Sequence, residues 1–152
     1  MKVAESFVVP APRSSVWDVI DDVERVARCL PGVEDVTMVD PDNGTVRITQ
    51  SLGPMKVTFQ AKVHVTGREP GREISFSATG RSVRGAVGNV RATNVVRLED
   101  HGDGTLVLLE ADVALGGMLG AVGQKVFARQ AAAAAKDFAE QLEREVRGDV
   151  DA

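Results

Sequence analysis

A chain of 152 residues is long enough for one domain, which at this size buries roughly 70% of its unfolded surface. Its 43% hydrophobic and 26% charged residues are ordinary for a globular protein, and its net charge of −4 argues against nucleic-acid binding. The single cysteine, Cys29, excludes an internal disulfide and is typical of a reducing cytosol. No signal peptide is recognisable, and no apolar stretch approaches the ~20 residues that span a bilayer.

The amino-terminal part of the chain predicts one strand followed by two short helices. Val3–Val9 is expected to form the strand, which Pro10 and Pro12 end because proline cannot donate to a β-ladder. An apolar stripe then favours a first short helix. A second one, Val23–Leu30, ends at the Pro-Gly pair that follows it.

The middle of the chain, residues 33–115, alternates apolar and polar residues with the period of a β-strand. The segment MKVTFQAKVHVT places valine, phenylalanine and alanine on one face, and lysine, threonine and histidine on the other. Connections such as PDNG and EPGR are short, which implies antiparallel neighbours. With the first strand, the sequence predicts seven strands whose one apolar face must be covered.

The cover is predicted to be a helix from Gly117 to about Arg147, because ARQAAAAAKDFAEQLEREVR has very high helix propensity. The predicted fold class is α+β: a seven-stranded curved antiparallel sheet wrapped around a long carboxy-terminal helix, with two short helices between strands one and two. Residues 1–147 are assigned to a single domain, and residues 148–152 to a carboxy-terminal tail.

A helical projection of the last segment gives one line of residues expected to face the sheet. The line starts with small residues and ends with large ones: Gly120, Gly123, Phe127, Ala131, Ala134, Phe138 and Leu142. Small residues either let helix and sheet pack closely or leave a cavity between them, and both interpretations are open. In the second interpretation, Gly120, Gly123, Phe127 and Ala131 contact a ligand. The opposite wall is then formed by Phe59, Phe76, Val96, Leu109 and Ala111.

Two amides, Asn94 and Gln50, fall in phase with apolar neighbours and are expected on the inner face. A buried amide needs partners, because leaving it unpaired costs about 1–3 kcal/mol. It either bonds the backbone or orients the polar head of a ligand. Asn94 is therefore included among the candidate ligand-binding residues, and Gln50 is a weaker candidate.

A second apolar stripe lies on another side of the same predicted helical turns. It consists of Met118, Leu119, Val122 and Val126. An exposed apolar patch beside a cavity mouth indicates a membrane or partner contact. The alternative is that the amino-terminal loops cover it.

No catalytic constellation is apparent. His64 is expected on the polar face of its strand and His101 in a turn, while Glu110 and Asp112 fall on the solvated face of theirs. No His, Cys, Asp and Glu cluster has metal-ligand spacing, and no glycine-rich phosphate loop is present. Cys29 falls in the last turn of the second predicted short helix, where the helix dipole disfavours a thiolate, and we interpret it as a packed residue.

The stretch FVVPAPRSSVWDVIDDVERVARCLPGVEDV resembles the opening signature of the carbon monoxide dehydrogenase G-subunit family. GPMKVTFQAKV and VALGGMLGAVGQKVF are similar to later family segments, so that the resemblance covers about residues 3–143. The resemblance implies a START-like (polyketide-cyclase-like) helix-grip fold with an elongated apolar cavity. It also implies a molybdenum-containing carbon monoxide dehydrogenase, or a related hydroxylase, as partner, and a role in coupling that enzyme to the membrane.

The leading hypothesis is a non-catalytic protein that binds a membrane isoprenoid quinone, menaquinone or ubiquinone, as cargo. It would couple the dehydrogenase to the respiratory membrane from the cytoplasm, in peripheral contact with the inner face. One alternative is a recruitment or maturation factor without cargo. Another is an enzyme of the cyclase or dehydratase type. No covalent cofactor, metal or nucleic-acid partner is expected.

Overall fold

The computed structural model describes residues 1–151, which form one curved sheet and three α-helices. The elements are β1 (Lys2–Val9), α1 (Arg13–Ile20), α2 (Val23–Arg28), β2 (Val33–Asp40), β3 (Asn43–Leu52), β4 (Met55–Glu69), β5 (Glu73–Arg84), β6 (Gly88–His101), β7 (Gly104–Gly117) and α3 (Gln124–Asp151). A 3-10 turn, Met118–Ala121, connects β7 to α3.

All neighbouring strands of the sheet are antiparallel, in the order β1-β7-β6-β5-β4-β3-β2. Strands two to seven follow the chain as hairpins, and the first strand returns to pair with the last. The seven strands, the two short helices and the long final helix confirm the predicted helix-grip architecture.

The concave face of the sheet carries the core and holds α3 against it. Phe138, Leu142 and Val146 are the buried residues of α3, and they pack with the apolar side of α1. The rings of Phe7 and Phe138 meet edge to face, with centroids 6.0 Å apart. The carboxy-terminal half of α3 is therefore the part that anchors the helix to the sheet.

The predicted start of the long helix is wrong by seven residues. β7 continues to Gly117, which pairs with Gly88, and α3 begins only at Gln124. Gly117 has a φ of +66°, a left-handed conformation that glycine adopts without a steric penalty and that turns the chain out of the strand. The amide of Met118 then donates to the carbonyl of Val87 at 2.9 Å. Ladder pairing thus holds the glycine-rich segment out of the helix.

The helix also ends later than predicted, because it continues to Asp151. An arginine fixes its last turns to α2. Arg25 donates through Nε to Glu145 at 2.9 Å, and through both terminal nitrogens to Asp149 at 2.9 Å each. Asp22 caps α2 by accepting from the amide of Arg25. These contacts hold α2 beside the groove between sheet and α3.

Candidate ligand-binding site

A cavity of about 290 Å³ lies between the concave face of the sheet and α3. Val63, Val65 and Ile74 contribute to its floor on β4 and β5, while Val26 and Leu30 close one side. Its lining is almost wholly apolar, and ligand sites of this kind start at roughly 300 Å³. Leu30 is 39% exposed, so the cavity reaches the surface beside the end of α2.

Alanines in α3 create this space. Ala131, Ala134 and Ala135 face the cavity at the spacing of one helix side, and Phe138 closes it one turn further on. A methyl group leaves room where the larger side chains of the later turns fill it. The small residues of the long helix could either pack closely on the sheet or leave a cavity. The structure shows a cavity beside the alanines.

Six of the predicted ligand-binding residues line this cavity. Asn94 lies in the middle of the floor, where it pairs with Phe76 on β5 and with Ala111 on β7. The six are Phe76, Asn94, Val96, Leu109, Ala111 and Ala131. That a ligand contacts them stays a prediction.

The other four predicted residues lie outside the cavity wall. Phe59 is buried in a separate apolar cluster with Leu52, Val57 and Leu119, against which Phe127 packs. Gly120 and Gly123 are exposed and precede α3, and a side chain on Gly123 would meet open space. Helical periodicity does not apply to a segment that is not α-helical, so the projection places these glycines wrongly.

Glu5 is a cavity residue that the sequence interpretation does not include. It lies on β1 opposite Leu109, on the same face as Val3, and it lines the cavity. The signal is present in the sequence, since Glu5 alternates in phase with Val3 and Phe7. A carboxylate in that phase is a weak signal because charged residues are seldom turned toward a core.

Gln50, the second inward amide, has protein partners. Its Nε2 donates to the carbonyl of Pro31 at 2.7 Å, and its Oε1 accepts from Gln130 of α3 at 2.9 Å. It thereby ties the turn after α2 to the long helix. Gln50 is a structural residue in this arrangement.

The remaining titratable candidates face outward as predicted. His64 is exposed and lies 2.7 Å from the side-chain oxygen of Asn43. Glu110 accepts from Arg97 at 3.4 Å, and Asp112 is exposed on the same face. Within residues 1–151, no cluster of three or more His, Cys, Asp or Glu side chains could hold a metal ion.

Cys29 is buried, and its thiol donates to the carbonyl of Arg25 at 3.4 Å. Burial raises the pKa of Cys29 to about 11, and the nearby Glu145 adds to this effect while Arg25 opposes it. The thiol therefore stays protonated at neutral pH. The interpretation as a packed residue agrees with this geometry.

We expect Cys29 to resist alkylation by iodoacetamide in the folded protein at neutral pH, and to react at once in denaturant. The reacting species is the thiolate, which burial disfavours. Mass spectrometry of timed samples measures both rates. Equal rates in the folded and unfolded protein would contradict the buried position.

The predicted apolar contact stripe is only partly exposed. Met118 is 62% exposed, but Leu119 is fully buried and belongs to the cluster around Phe59. Val122 packs against the same cluster, and Val126 is half-buried. The prediction that Leu119 is a surface contact is therefore wrong, because the 3-10 turn directs its side chain inward against Gly88.

Met118 has other exposed apolar neighbours, on the β5–β6 hairpin. Val87 is 70% exposed and Val83 is 42% exposed, and the amide of Met118 bonds the carbonyl of Val87. The β3–β4 turn reaches the same region, since a methyl group added to Gly53 would lie 3.3 Å from Val126. We call this end of the molecule, formed by residues 52–56, 81–91 and 117–129, the basic tip.

The charges of the basic tip are all positive. No Asp or Glu occurs in residues 43–68, 74–98 or 113–136, which contain the three segments of the tip. None of the ion pairs within residues 1–151 involves its cations. These exposed cations are Lys56, Arg81, Arg84, Arg91, Lys125 and Arg129. A chain of net charge −4 thus presents one cationic end with apolar side chains on it.

The family model of the carbon monoxide dehydrogenase G subunit (CoxG) matches residues 6–147. The chain belongs to the CoxG family. Its motifs, seven-stranded sheet and long final helix are those that the resemblance implied. No curated protein matches this CoxG chain in sequence. In the described part of the chain, no helix has the length and apolar character needed to cross a membrane.

Solved structures similar to this CoxG protein show the same fold at low identity. A conserved protein from Geobacillus kaustophilus has a TM-score of 0.85 at 19% identity, over 97% of this chain and 96% of that one. A START superfamily protein from Mycobacterium smegmatis has a TM-score of 0.71 at 14% identity, over 97% of each chain. The Zhui aromatase/cyclase from a Streptomyces species has a TM-score of 0.68 at 16% identity, over 99% and 95%. The fold of this chain is START-like.

Proposed function

We propose that this protein is a non-catalytic carrier of an isoprenoid quinone, menaquinone or ubiquinone, that couples a molybdenum-containing carbon monoxide dehydrogenase or related hydroxylase to the respiratory membrane. The observation that carries the proposal is the apolar cavity of about 290 Å³ under α3. Membership of the CoxG family supports a carbon monoxide dehydrogenase as the partner class.

The size of the cavity suits a ring with the first part of an isoprenoid tail. A cavity of about 150 Å³ accommodates benzene, and this one is roughly twice as large. Burial of one five-carbon isoprene unit contributes up to about 4 kcal/mol, at about 0.8 kcal/mol per carbon. Apolar walls therefore supply most of the affinity, and the rest of the tail leaves beside Leu30, where the cavity reaches the surface.

We assign the membrane contact to the basic tip. Its six cations attract the anionic lipids of a cytoplasmic leaflet, and each contributes about 1 kcal/mol near such a surface. Val83, Val87 and Met118 add exposed apolar side chains that enter the headgroup region. The protein would associate peripherally with the inner face of the membrane and exchange its cargo there.

The redox chemistry in this proposal belongs to the quinone and to the dehydrogenase. The carrier binds the ring, keeps the tail out of water and releases the molecule at the membrane.

The test is organic extraction of the protein after purification from a respiring host, followed by mass spectrometry. We expect a stoichiometric isoprenoid quinone, because the apolar cavity favours such a molecule over water. A fatty acid or phospholipid in its place would support a carrier of hydrophobic molecules but contradict the quinone as its cargo. Extraction of no lipid at all would favour the second candidate, a membrane-recruitment factor, which the basic tip alone supports.

A further inference from the structure

Two carboxylate residues, Glu5 and Glu110, border the apolar cavity. Glu110 is exposed and accepts from Arg97, whereas the role of Glu5 does not follow from hydrophobic binding. Glu5 is half-buried on β1, and within residues 1–151 no ion pair or hydrogen bond involves its side chain. Among the described residues, no lysine or arginine lines the cavity, and the neighbouring cavity residues of α3 are Ala131, Ala134 and Ala135. Turning a charged group toward an apolar space without a partner is unfavourable. The unpaired carboxylate of Glu5 at the cavity wall therefore suits a ligand that brings its own hydrogen-bond donor.

Asn94 is the second polar side chain of the cavity floor, and it lies within reach of the same ligand. Glu5 pairs with Leu109, and Asn94 pairs with Ala111, the next residue on that face of β7. Two strand spacings and a two-residue offset separate the two backbones by ~12 Å. Both residues line the same cavity, so a ring bound between them would lie within reach of both side chains.

The two groups differ in what they recognise. An amide both donates and accepts hydrogen bonds, whereas a carboxylate only accepts them. A quinone presents two carbonyl oxygens, which are also acceptors, so that Glu5 and a quinone oxygen have no proton to share. The reduced quinol presents two hydroxyl groups, and a hydroxyl donates to a carboxylate in a strong, charge-assisted bond.

We propose that Glu5 makes this cavity selective for the reduced form of its ligand, the quinol, over the quinone. The inference rests on the proposed function and adds the redox state that the site prefers. Asn94 accommodates either form, which leaves Glu5 as the discriminating group. A charge-assisted hydrogen bond of this kind favours the quinol by at least about tenfold.

The test measures the affinities of a one-isoprene ubiquinone and of its anaerobically reduced quinol by isothermal titration calorimetry. Wild-type protein is expected to bind the quinol at least about tenfold more tightly, and Glu5→Gln to lose that preference because glutamine also donates. The matched control is Glu99→Gln, which removes the same charge from the exposed outer face of β6. Thermal unfolding of each variant shows whether it is folded.

A second measurement gives the same quantity independently. A tenfold preference for the reduced form raises the two-electron midpoint potential of the bound quinone by about 30 mV. Glu5→Gln should remove this rise, and Glu99→Gln should retain it.

The outcomes separate the two proposals. Equal affinities of the wild-type protein for both forms, or the same preference in Glu5→Gln, would overturn the role of Glu5 while leaving the carrier proposal standing. Binding of neither form by the wild-type protein would contradict the quinone carrier itself, and with it this inference.

Discussion

Substitution of leucine for both Ala131 and Ala134 is expected to weaken the binding of a short-chain quinone about a thousandfold. Both alanines face the cavity, so the two leucines occupy the volume that a ligand needs. The six added carbons displace at least one isoprene unit, whose burial contributes up to about 4 kcal/mol, or about a factor of a thousand in the dissociation constant. Isothermal titration calorimetry measures the loss.

The matched control introduces leucine at Ala132 and Ala133, which are exposed on the other side of the same turns. Alanine and leucine are both good helix formers, so neither pair should disturb α3. We expect the control to bind like the wild-type protein, and the inner pair to unfold at an equal or higher temperature because it fills a void. Unchanged quinone affinity in the inner pair would show that the cavity is not the binding site.

The combined variant Arg81→Gln, Arg84→Gln and Arg91→Gln is expected to weaken binding to phosphatidylglycerol-containing vesicles about a hundredfold. Each cation contributes about 1 kcal/mol near an anionic surface, so the three together contribute about 3 kcal/mol. Binding should also fall as salt is added. Co-sedimentation with vesicles of phosphatidylcholine, with and without phosphatidylglycerol, measures both effects.

The matched control removes three cations from other parts of the surface: Arg13, Arg72 and Arg144, each replaced by glutamine. It changes the net charge equally, and the exposed pair of Arg13 with Asp100 contributes little to stability. We expect it to bind anionic vesicles like the wild-type protein. An equal loss of vesicle binding in both variants would show that binding depends on the net charge of the protein and not on the basic tip. Failure of the wild-type protein to bind vesicles, together with binding of the dehydrogenase, would assign the tip to a protein partner.

The two experiments together distinguish a carrier from a recruitment factor. A carrier requires both the cavity and the tip for electron transfer from dehydrogenase to membrane. A recruitment factor requires the tip alone, so the inner leucine pair would leave its transfer activity intact. Activity of the purified protein on an aromatic polyketide would instead support the enzymatic alternative, whose fold the Zhui aromatase/cyclase shares.

The strands and turns were predictable because their signals are local. Alternation over MKVTFQAKVHVT, and turn sequences such as PDNG, depend on residues a few positions apart. Six of the ten predicted ligand-binding residues line the cavity. Five of these six lie on strands, where alternation decides which side faces inward, and the sixth, Ala131, follows from the periodicity of the helix.

The start of α3 was not predictable in the same way. The glycine-rich segment after Leu115 is compatible with a strand, a turn or a weak helix, and pairing of Gly117 with Gly88 decides between them. These two residues are distant in the chain, so no local pattern reports their contact. The wrong positions of Gly120, Gly123 and Leu119 follow from this one error.

The sequence by itself determined the order of strands and helices, the apolar face of the sheet and the alanines of the long helix, because each depends on short-range periodicity. Only the tertiary structure decided that those alanines border empty space, since this depends on the curvature of the sheet opposite them. It also decided that Glu5 points into that space and that three chain segments without acidic residues meet at one end. Contacts between distant segments depend on long-range strand pairing, which cannot be inferred from a few consecutive residues.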